Sequence, residues 1–226
     1  QWFAERRKGL ILIEVRGADL PKSLTLPDGR VMDTTGGTSP KQAHVTCSAC
    51  GRQQNILEAV RPTGHTAPVA TYALQGHCPQ CDAEGYNYNG RYFKTPDADD
   101  LDRLNRAERE WASRKDDDLT GCWPTQPCWD AYMMRANGGV NEGWGYTHWW
   151  KMFNPRQLLV HTQLLRCIMD ASPEKWALDV REQAVGGFIQ YLRNQNMFIF
   201  WNPQRDTPEP MFSNANYHPK HDTVDN

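Results

Sequence analysis

Two short stretches, Cys47-Ser48-Ala49-Cys50 and Cys78-Pro79-Gln80-Cys81, decide the fold that this sequence predicts. Each stretch places two soft thiolate ligands on one tight turn, and two such turns close the tetrahedral four-sulfur cage that Zn²⁺ prefers. Residues 51–77 separate the pairs. That gap is longer than the commonest spacing of about 15–20 residues, but it leaves room for the strands of a zinc ribbon. We therefore predict a structural zinc ion bound by Cys47, Cys50, Cys78 and Cys81.

Two alternatives to this ligand set stay open. The four residues could be free or disulfide-bonded cysteines without a metal. Three histidines lie near the pairs in sequence, and one of them could replace a cysteine as ligand: His44, His65 and His77. Whether the ligands are four cysteines or three cysteines and one histidine, the cage has no open coordination position. The metal is therefore expected to stabilise the fold and not to catalyse.

Composition limits the classes of partner. The formal net charge of the 226 residues is −2, so any nucleic-acid binding has to come from local patches. The mean hydropathy of −0.74 is polar for a self-sufficient globule and suggests that a partner covers part of the surface. No apolar run approaches the about 18 residues of a membrane span, which argues against a membrane partner. Free Cys122, Cys128 and Cys167 beside a thiolate site favour a reducing cytoplasm.

The pattern of the chain predicts an α+β fold. We expect a β-rich zinc-ribbon region over residues 1–95 and a helical region with Trp- and Pro-rich irregular segments over residues 96–226. The expected strands are residues 10–15, 43–46 and 69–74, with hairpin turns at Asp28-Gly29 and Asn89-Gly90.

Three helices are expected in the second region. The first follows Thr95-Pro96, with acidic residues in its first turn and Arg114 and Lys115 in its last. The second begins at Pro155 behind an Asn154 N-cap and runs to about Asp170. The third is predicted to start at Ser172-Pro173 and to run to about Asn196.

The segment from Trp144 to Leu159 is the densest in aromatic residues. Aromatic rings can stack on extruded or single-stranded bases, and Arg or Gln at a helix N-terminus can reach phosphates or base edges. The alternative is a hydrophobic plug that covers the helix pair. The candidate nucleic-acid-binding residues are Trp149, Trp150, Lys151, Arg156 and Gln157. The sequence contains no glycine-rich nucleotide loop and no nucleophile elbow, so no catalytic or cofactor-binding residue is predicted.

Taken in order along the chain, these elements resemble the zinc-ribbon-containing adenine-specific DNA methylases, large prokaryotic enzymes often found in phage-defence loci. The two cysteine pairs are similar to that family's zinc turns, and Phe153-Asn154-Pro155-Arg156-Gln157-Leu158 is similar to its Phe-x-Pro-Arg-Gln-Leu helix start. Tyr92-Phe93-Lys94-Thr95-Pro96, Trp201, Phe212-Ser213-Asn214 and Tyr217 follow the family's layout as well.

The resemblance implies a central zinc-binding and DNA- or target-recognition region of a DNA adenine-N6 methyltransferase. In that family the methyl-donor loop and the Asp-Pro-Pro-Tyr loop flank this region, and this chain carries neither. Whether the chain is itself an enzyme stays open. S-adenosylmethionine is expected only in the missing parts, and the expected partners are double-stranded DNA and the remaining methyltransferase domains in a prokaryotic cytoplasm. The alternative is a freestanding zinc-ribbon adaptor without enzymatic activity that binds protein or nucleic acid.

Overall fold

The structure is a computed structural model, and it describes residues 2–6, 10–14, 22–25, 29–33, 44–46, 51–66, 69, 71, 73–85, 89–129, 144–171, 174, 176–202 and 207–210. The chain forms two compact units. The first contains residues 1–40 and 68–103, and the second contains residues 41–67 and 104–226. Helices and small two-stranded antiparallel sheets are both present, which agrees with the expected mixture of helix and strand.

The first unit is built on antiparallel strand pairs. The pairs are β1 (Trp2–Arg6) with β2 (Leu10–Glu14), β3 (Ser23–Thr25) with β4 (Val31–Asp33), and β7 (Leu74–His77) with β8 (Arg91–Lys94). The strand expected at residues 10–15 is confirmed as β2. The hairpin expected around Asp28-Gly29 is confirmed as the β3–β4 pair, with Gly29 at φ +82° in the region that this turn requires.

Two strand predictions need correction. The strand that leads to the second cysteine pair begins at Leu74 and not at Val69, so it adjoins Cys78 directly. The Asn89-Gly90 turn does precede a strand, but β8 pairs with β7, and residues 86–88 lie outside the described residues. Both differences follow from the backbone pairing next to the cysteines. The N–H of Cys78 donates to the carbonyl of Gly90 at 2.8 Å and so continues the ladder of β7 and β8.

The second unit adds a hairpin of β5 (His44–Thr46) with β6 (Gln53–Asn55), followed by the short helix α1 (Ile56–Val60). The strand expected at residues 43–46 is confirmed as β5. The chain later forms the helices α4 (Pro155–Met169) and α5 (Leu178–Arg193), and ends its described part in a hairpin of β9 (Phe200–Asn202) with β10 (Thr207–Glu209).

In the first unit, the five-residue helix α2 (Pro79–Ala83) lies between β7 and β8, and the sequence patterns did not indicate it.

Helix α3 (Ala98–Arg114) begins with a reciprocal cap. The backbone N–H of Asp100 donates to the Asp97 carboxylate at 2.9 Å, and the N–H of Asp97 donates back to the Asp100 carboxylate at 3.1 Å. The Lys94 ammonium joins both carboxylates, at 3.0 Å from Asp97 and 2.6 Å from Asp100. The acidic helix start expected after Pro96 is confirmed, and its cause is the unpaired N–H groups of the first turn.

Helix α4 begins where the sequence predicts. The Asn154 side chain accepts from the Gln157 N–H at 2.8 Å, and the Gln157 side chain accepts from the Asn154 N–H at 3.1 Å. Pro155 stands at the first helical position, where its missing N–H removes no hydrogen bond. Helix α5 differs from its prediction: it starts at Leu178 behind Ala177, and residues 174, 176 and 177 are not helical. A Ser-Pro pair only favours a helix start at that point of the chain, and here it does not determine the first residue of the helix.

Two apolar clusters form the core of the second unit. The first contains Trp144, Tyr146, Met152 and Phe198, with Cys128, Trp149, Phe153 and Phe200 packed against it. The second contains Trp111, Leu119, Leu158 and Leu159, with Ala107, Trp123, Trp150 and Phe153 packed against it. Burial of each large side chain contributes about 1.5–3 kcal/mol, so the irregular segment around residue 150 is part of the core.

Helix α5 is closed by a buried asparagine. The Asn196 amide donates to the carbonyls of Leu192 and Arg193 at 2.9 and 3.1 Å, and its side-chain oxygen accepts from the N–H of Phe198 at 2.9 Å. The N–H of Met197 then donates to the carbonyl of Met152 at 2.8 Å. These bonds hold Phe198 and Ile199, both fully buried, against the aromatic segment.

Of the described helices, none combines the length and the apolar character that crossing a bilayer requires.

The cap of α3 predicts a pH effect. The pKa of Asp97 is lowered from 3.8 to about 2, first by the N–H of Asp100 and then by Lys94. Because the folded pKa is the lower one, the stability that this carboxylate contributes is present above about pH 4 and is lost as the pH falls towards 2. We expect Lys94→Met to raise the pKa of Asp97, measured by NMR of the side-chain carboxyl during a titration.

The matched control is Lys115→Met, because Lys115 pairs with Asp116 and not with Asp97. A titration midpoint of Asp97 that is the same in Lys94→Met as in the unaltered chain would show that the ion pair does not act on this carboxylate.

Candidate functional site

Each cysteine pair follows the end of a strand in an antiparallel hairpin. Strands β5 and β6 are paired in register up to Thr46 opposite Gln53, so the loop of this hairpin carries the first pair. Cys47 and Cys50 themselves lie outside the described residues, and their role as metal ligands stays a prediction. Gly51, which follows them, has φ +69°, as expected for a residue that must accept the left-handed region beside a metal-binding turn.

The second pair is described in full. The last register pair of β7 and β8 is His77 opposite Arg91, and the N–H of Cys78 then donates to the Gly90 carbonyl at 2.8 Å. The chain turns at Pro79 into α2, in which the N–H of Asp82 donates to the Cys78 carbonyl at 3.1 Å. Main-chain hydrogen bonds on both sides therefore hold Cys78 and Cys81 on one turn.

The two thiols differ in acidity. The pKa of Cys78 is lowered, first by the backbone N–H of Cys81 and then by the Cys81 thiol. The pKa of Cys81 is raised, first by its interaction with the Cys78 sulfur and then by partial burial. The arrangement favours a thiolate at Cys78, the form that binds a metal ion.

Gly90 leaves the space that this turn needs. Its φ is +71°, and a Cβ atom built on it would lie 2.4 Å from the Cys78 carbonyl oxygen and 2.8 Å from the Cβ atom of Asp82. Real Cβ atoms do not approach so closely. The close packing of Gly90 under Cys78 and Asp82, together with two adjacent thiols, fits one half of a thiolate zinc site.

Other potential ligands are near but do not complete a site within the described part of the chain. His77 and Asp82 flank the cysteines and lie 3.3 Å apart, Nε2 to Oδ2, with about half of each side chain exposed. The described residues contain no group of three or more His, Cys, Asp or Glu side chains arranged to bind a metal ion. Any complete cage has to include residues outside that part, among which are Cys47 and Cys50.

The aromatic segment is anchored by a short backbone bridge. Pro127 and His148 pair as an antiparallel bridge, with the N–H of Cys128 donating to the Thr147 carbonyl at 3.0 Å and the N–H of Trp149 donating to the Gln126 carbonyl at 3.3 Å. A single 3₁₀ turn, Trp149–Met152, leads from there to the cap of α4. The segment is therefore ordered by its own hydrogen bonds and by the core beneath it.

The five candidate nucleic-acid residues occupy different environments. Gln157 is 1% exposed and serves the α4 cap. Lys151 donates to the Gly145 carbonyl at 3.2 Å, and its ammonium lies 5.9 Å from the centroid of Trp150. Trp149, Trp150 and Arg156 are half-buried. Their contact with nucleic acid stays a prediction, and the structure does not bring the five together as one exposed face.

Trp150 belongs to a row of indoles. Trp111 and Trp123 meet edge to face with centroids 5.6 Å apart, and Trp123 meets Trp150 in the same way at 6.2 Å. The indole N–H of Trp123 donates to the Lys115 carbonyl at 2.9 Å. This row packs α3 against the start of α4, so these indoles are part of the core of the second unit.

Trp129 is an exposed aromatic residue that sequence reasoning missed. Its side chain is 74% exposed, and its ring meets Trp149 edge to face at 6.2 Å. The bridge between Pro127 and His148 fixes the backbone positions of the two indoles relative to each other. No periodic pattern marks a loop tryptophan as exposed, so the sequence held no signal that separates Trp129 from the buried indoles.

No protein-family model, curated protein or solved structure matches this chain.

The space at Gly90 predicts a matched pair of variants. Gly85 and Gly90 have the same φ of +71°, but a Cβ atom at Gly85 meets nothing within 4 Å. We expect Gly85→Ala to cost about 1–2 kcal/mol, the ordinary cost of a left-handed non-glycine residue. We expect Gly90→Ala to cost clearly more, because the collision with the Cys78 carbonyl is added. Denaturant unfolding of both variants measures the difference, and equal midpoints would contradict the packing at Gly90.

Proposed function

We propose that Cys47, Cys50, Cys78 and Cys81 bind one structural Zn²⁺. The observation that carries the proposal is the second turn, where main-chain hydrogen bonds and Gly90 hold two thiols of unequal acidity side by side. In sequence, the first pair lies between β5 and β6, which pair as an antiparallel hairpin. Four thiolates fill the coordination sphere, so the metal supplies folding energy and leaves no position for a substrate.

We further propose that the chain is the zinc-binding and DNA-contacting region of a DNA adenine-N6 methyltransferase. The support is the family resemblance of the sequence together with the exposed indole of Trp129, which meets the half-buried indole of Trp149 edge to face. Stacking of a base on an aromatic side chain contributes about 1–3 kcal/mol. In this proposal S-adenosylmethionine and the catalytic loop belong to other domains, and the protein works in a prokaryotic cytoplasm, where the thiolates stay reduced.

A second candidate function is a zinc-ribbon adaptor that docks onto a protein. Apolar side chains on the outer sides of α4 and α5 favour it: Val160, Leu164, Met169, Leu178, Val180 and Ile189 are all exposed. Together with the net charge of −2, these side chains suit a protein partner better than a phosphate backbone.

The metal proposal predicts one zinc per chain. Elemental analysis of the reduced protein should find close to one equivalent, and the double variant Cys78→Ser with Cys81→Ser should lose it because two of four ligands are gone. The matched control, Cys122→Ser with Cys167→Ser, should keep the metal. A reduced and folded chain without zinc, or zinc that stays in the double variant, would overturn the assignment.

The DNA proposal predicts salt-dependent binding that needs the indoles. Fluorescence anisotropy with a short duplex that contains one unpaired adenine should show binding at low salt. We expect Trp129→Ala and Trp149→Ala each to weaken it by about 5- to 100-fold, the loss of one stacking contact. Lys151→Ala should reduce the slope of log affinity against log salt by about 1.

The matched control is Leu178→Ala, which removes another exposed apolar side chain and should leave DNA affinity unchanged. The absence of DNA binding at low salt, or unaltered affinity in both tryptophan variants, would reject DNA contact by this segment and favour the adaptor.

A further inference from the structure

The second cysteine turn has the geometry of a dithiol as well as that of a half metal site. Cys78 stands in an extended conformation, φ −106° and ψ 106°, directly before the first residue of α2, and Cys81 is the third residue of that helix. The bond from the Asp82 N–H to the Cys78 carbonyl at 3.1 Å closes this turn. Both side chains are half-buried, so small solutes can reach them.

A disulfide fits this turn without a change in the fold. Disulfides require Cα atoms about 4.4–6.8 Å apart, a range that residues three apart on one helical turn satisfy. The flanking ladder of β7 and β8 and the bond from the Cys78 N–H to the Gly90 carbonyl stay in place when the two side chains rotate. The turn is thus arranged in advance for ring closure, which keeps the entropic cost of forming the bond small.

We propose that Cys78 and Cys81 are also a redox-active pair that exchanges with low-molecular-mass disulfides of the glutathione class. The Cys78 thiolate attacks one sulfur of the small disulfide, which releases one thiolate and leaves a mixed disulfide on Cys78. The Cys81 thiol gives its proton to water, attacks the Cys78 sulfur and releases the second small thiolate. Two protein thiols are oxidised, the small disulfide is reduced to two thiols, and the protons end on those products.

The consequence for the metal site rests on the proposed function. A disulfide sulfur is not a thiolate ligand, so closing the Cys78–Cys81 bond removes two of the four ligands that we assign to zinc. Oxidation of this turn then releases the metal and withdraws its folding energy, and reduction restores both. The pair therefore makes zinc occupancy depend on the thiol–disulfide balance of the cell.

The test uses the whole chain in mixtures of reduced and oxidised glutathione, with EDTA present in one series and zinc in the other. Remaining thiols are alkylated and the cysteines are mapped by peptide mass. In EDTA we expect a disulfide between Cys78 and Cys81, and in zinc we expect one metal released, by a chromogenic indicator, for each such disulfide formed. Cys81→Ser should stop at a glutathione adduct on Cys78, because the second attacking thiol is gone.

Cys167→Ser is the control, since Cys167 is an exposed single thiol whose removal should not alter the disulfide. If Cys78 and Cys81 stay as separate thiols or separate adducts while Cys167 is fully modified, the dithiol proposal is wrong. A chain that forms the disulfide but never holds zinc would refute the metal assignment alone, and a chain that holds zinc but forms no disulfide would refute this inference alone.

Discussion

The pairing of β7 with β8 is the constraint on which the chemistry of the described cysteine turn depends. The ladder ends at His77 opposite Arg91, and the Cys78 N–H adds one more bond to the Gly90 carbonyl. That bond brings Gly90 so close under Cys78 that only a residue without a Cβ fits there. The same backbone turns into α2 and places Cys81 beside Cys78. The strand register and the glycine at position 90 therefore set the backbone on which both thiols stand.

A different balance governs the aromatic segment. Exposing a large apolar ring to water is unfavourable, and four indoles of the described part are used for packing: Trp111, Trp123 and Trp150 form an edge-to-face row, and Trp144 lies in the core with Tyr146 and Phe198. Gln157, which the sequence offered for base contacts, serves the α4 cap instead. Trp129 is 74% exposed, and its ring meets the half-buried ring of Trp149 beside the Pro127–His148 bridge. The aromatic segment is thus mainly a packing element, and Trp129 is the exposed ring to which the DNA proposal assigns base stacking.

Sequence patterns predicted turns and helix starts correctly where these depend on interactions between neighbouring residues. The Asp28-Gly29 hairpin, the acidic start of α3 and the Asn154-Pro155 start of α4 each depend on the conformational preference or hydrogen bonds of a few neighbouring residues, and each is confirmed. The partner of β8 could not be read in this way, because α2 and the cysteine turn separate it from β7 in the sequence. The start of α5 and the exposure of Trp129 also depend on packing between distant segments, which no local pattern encodes.

The use of charge inside the described part bears on the DNA contact that we propose. Arg114 binds Glu110 and Asp118, Arg166 binds Asp170, and Lys94 binds Asp97 and Asp100. Arg181 donates to the Met169 carbonyl. Cations committed to neighbouring carboxylates and carbonyls release few counterions when a phosphate approaches, so electrostatic attraction from these residues is small. In the DNA proposal, binding by this chain therefore depends on base stacking and on the Lys151 contact, and not on these paired cations.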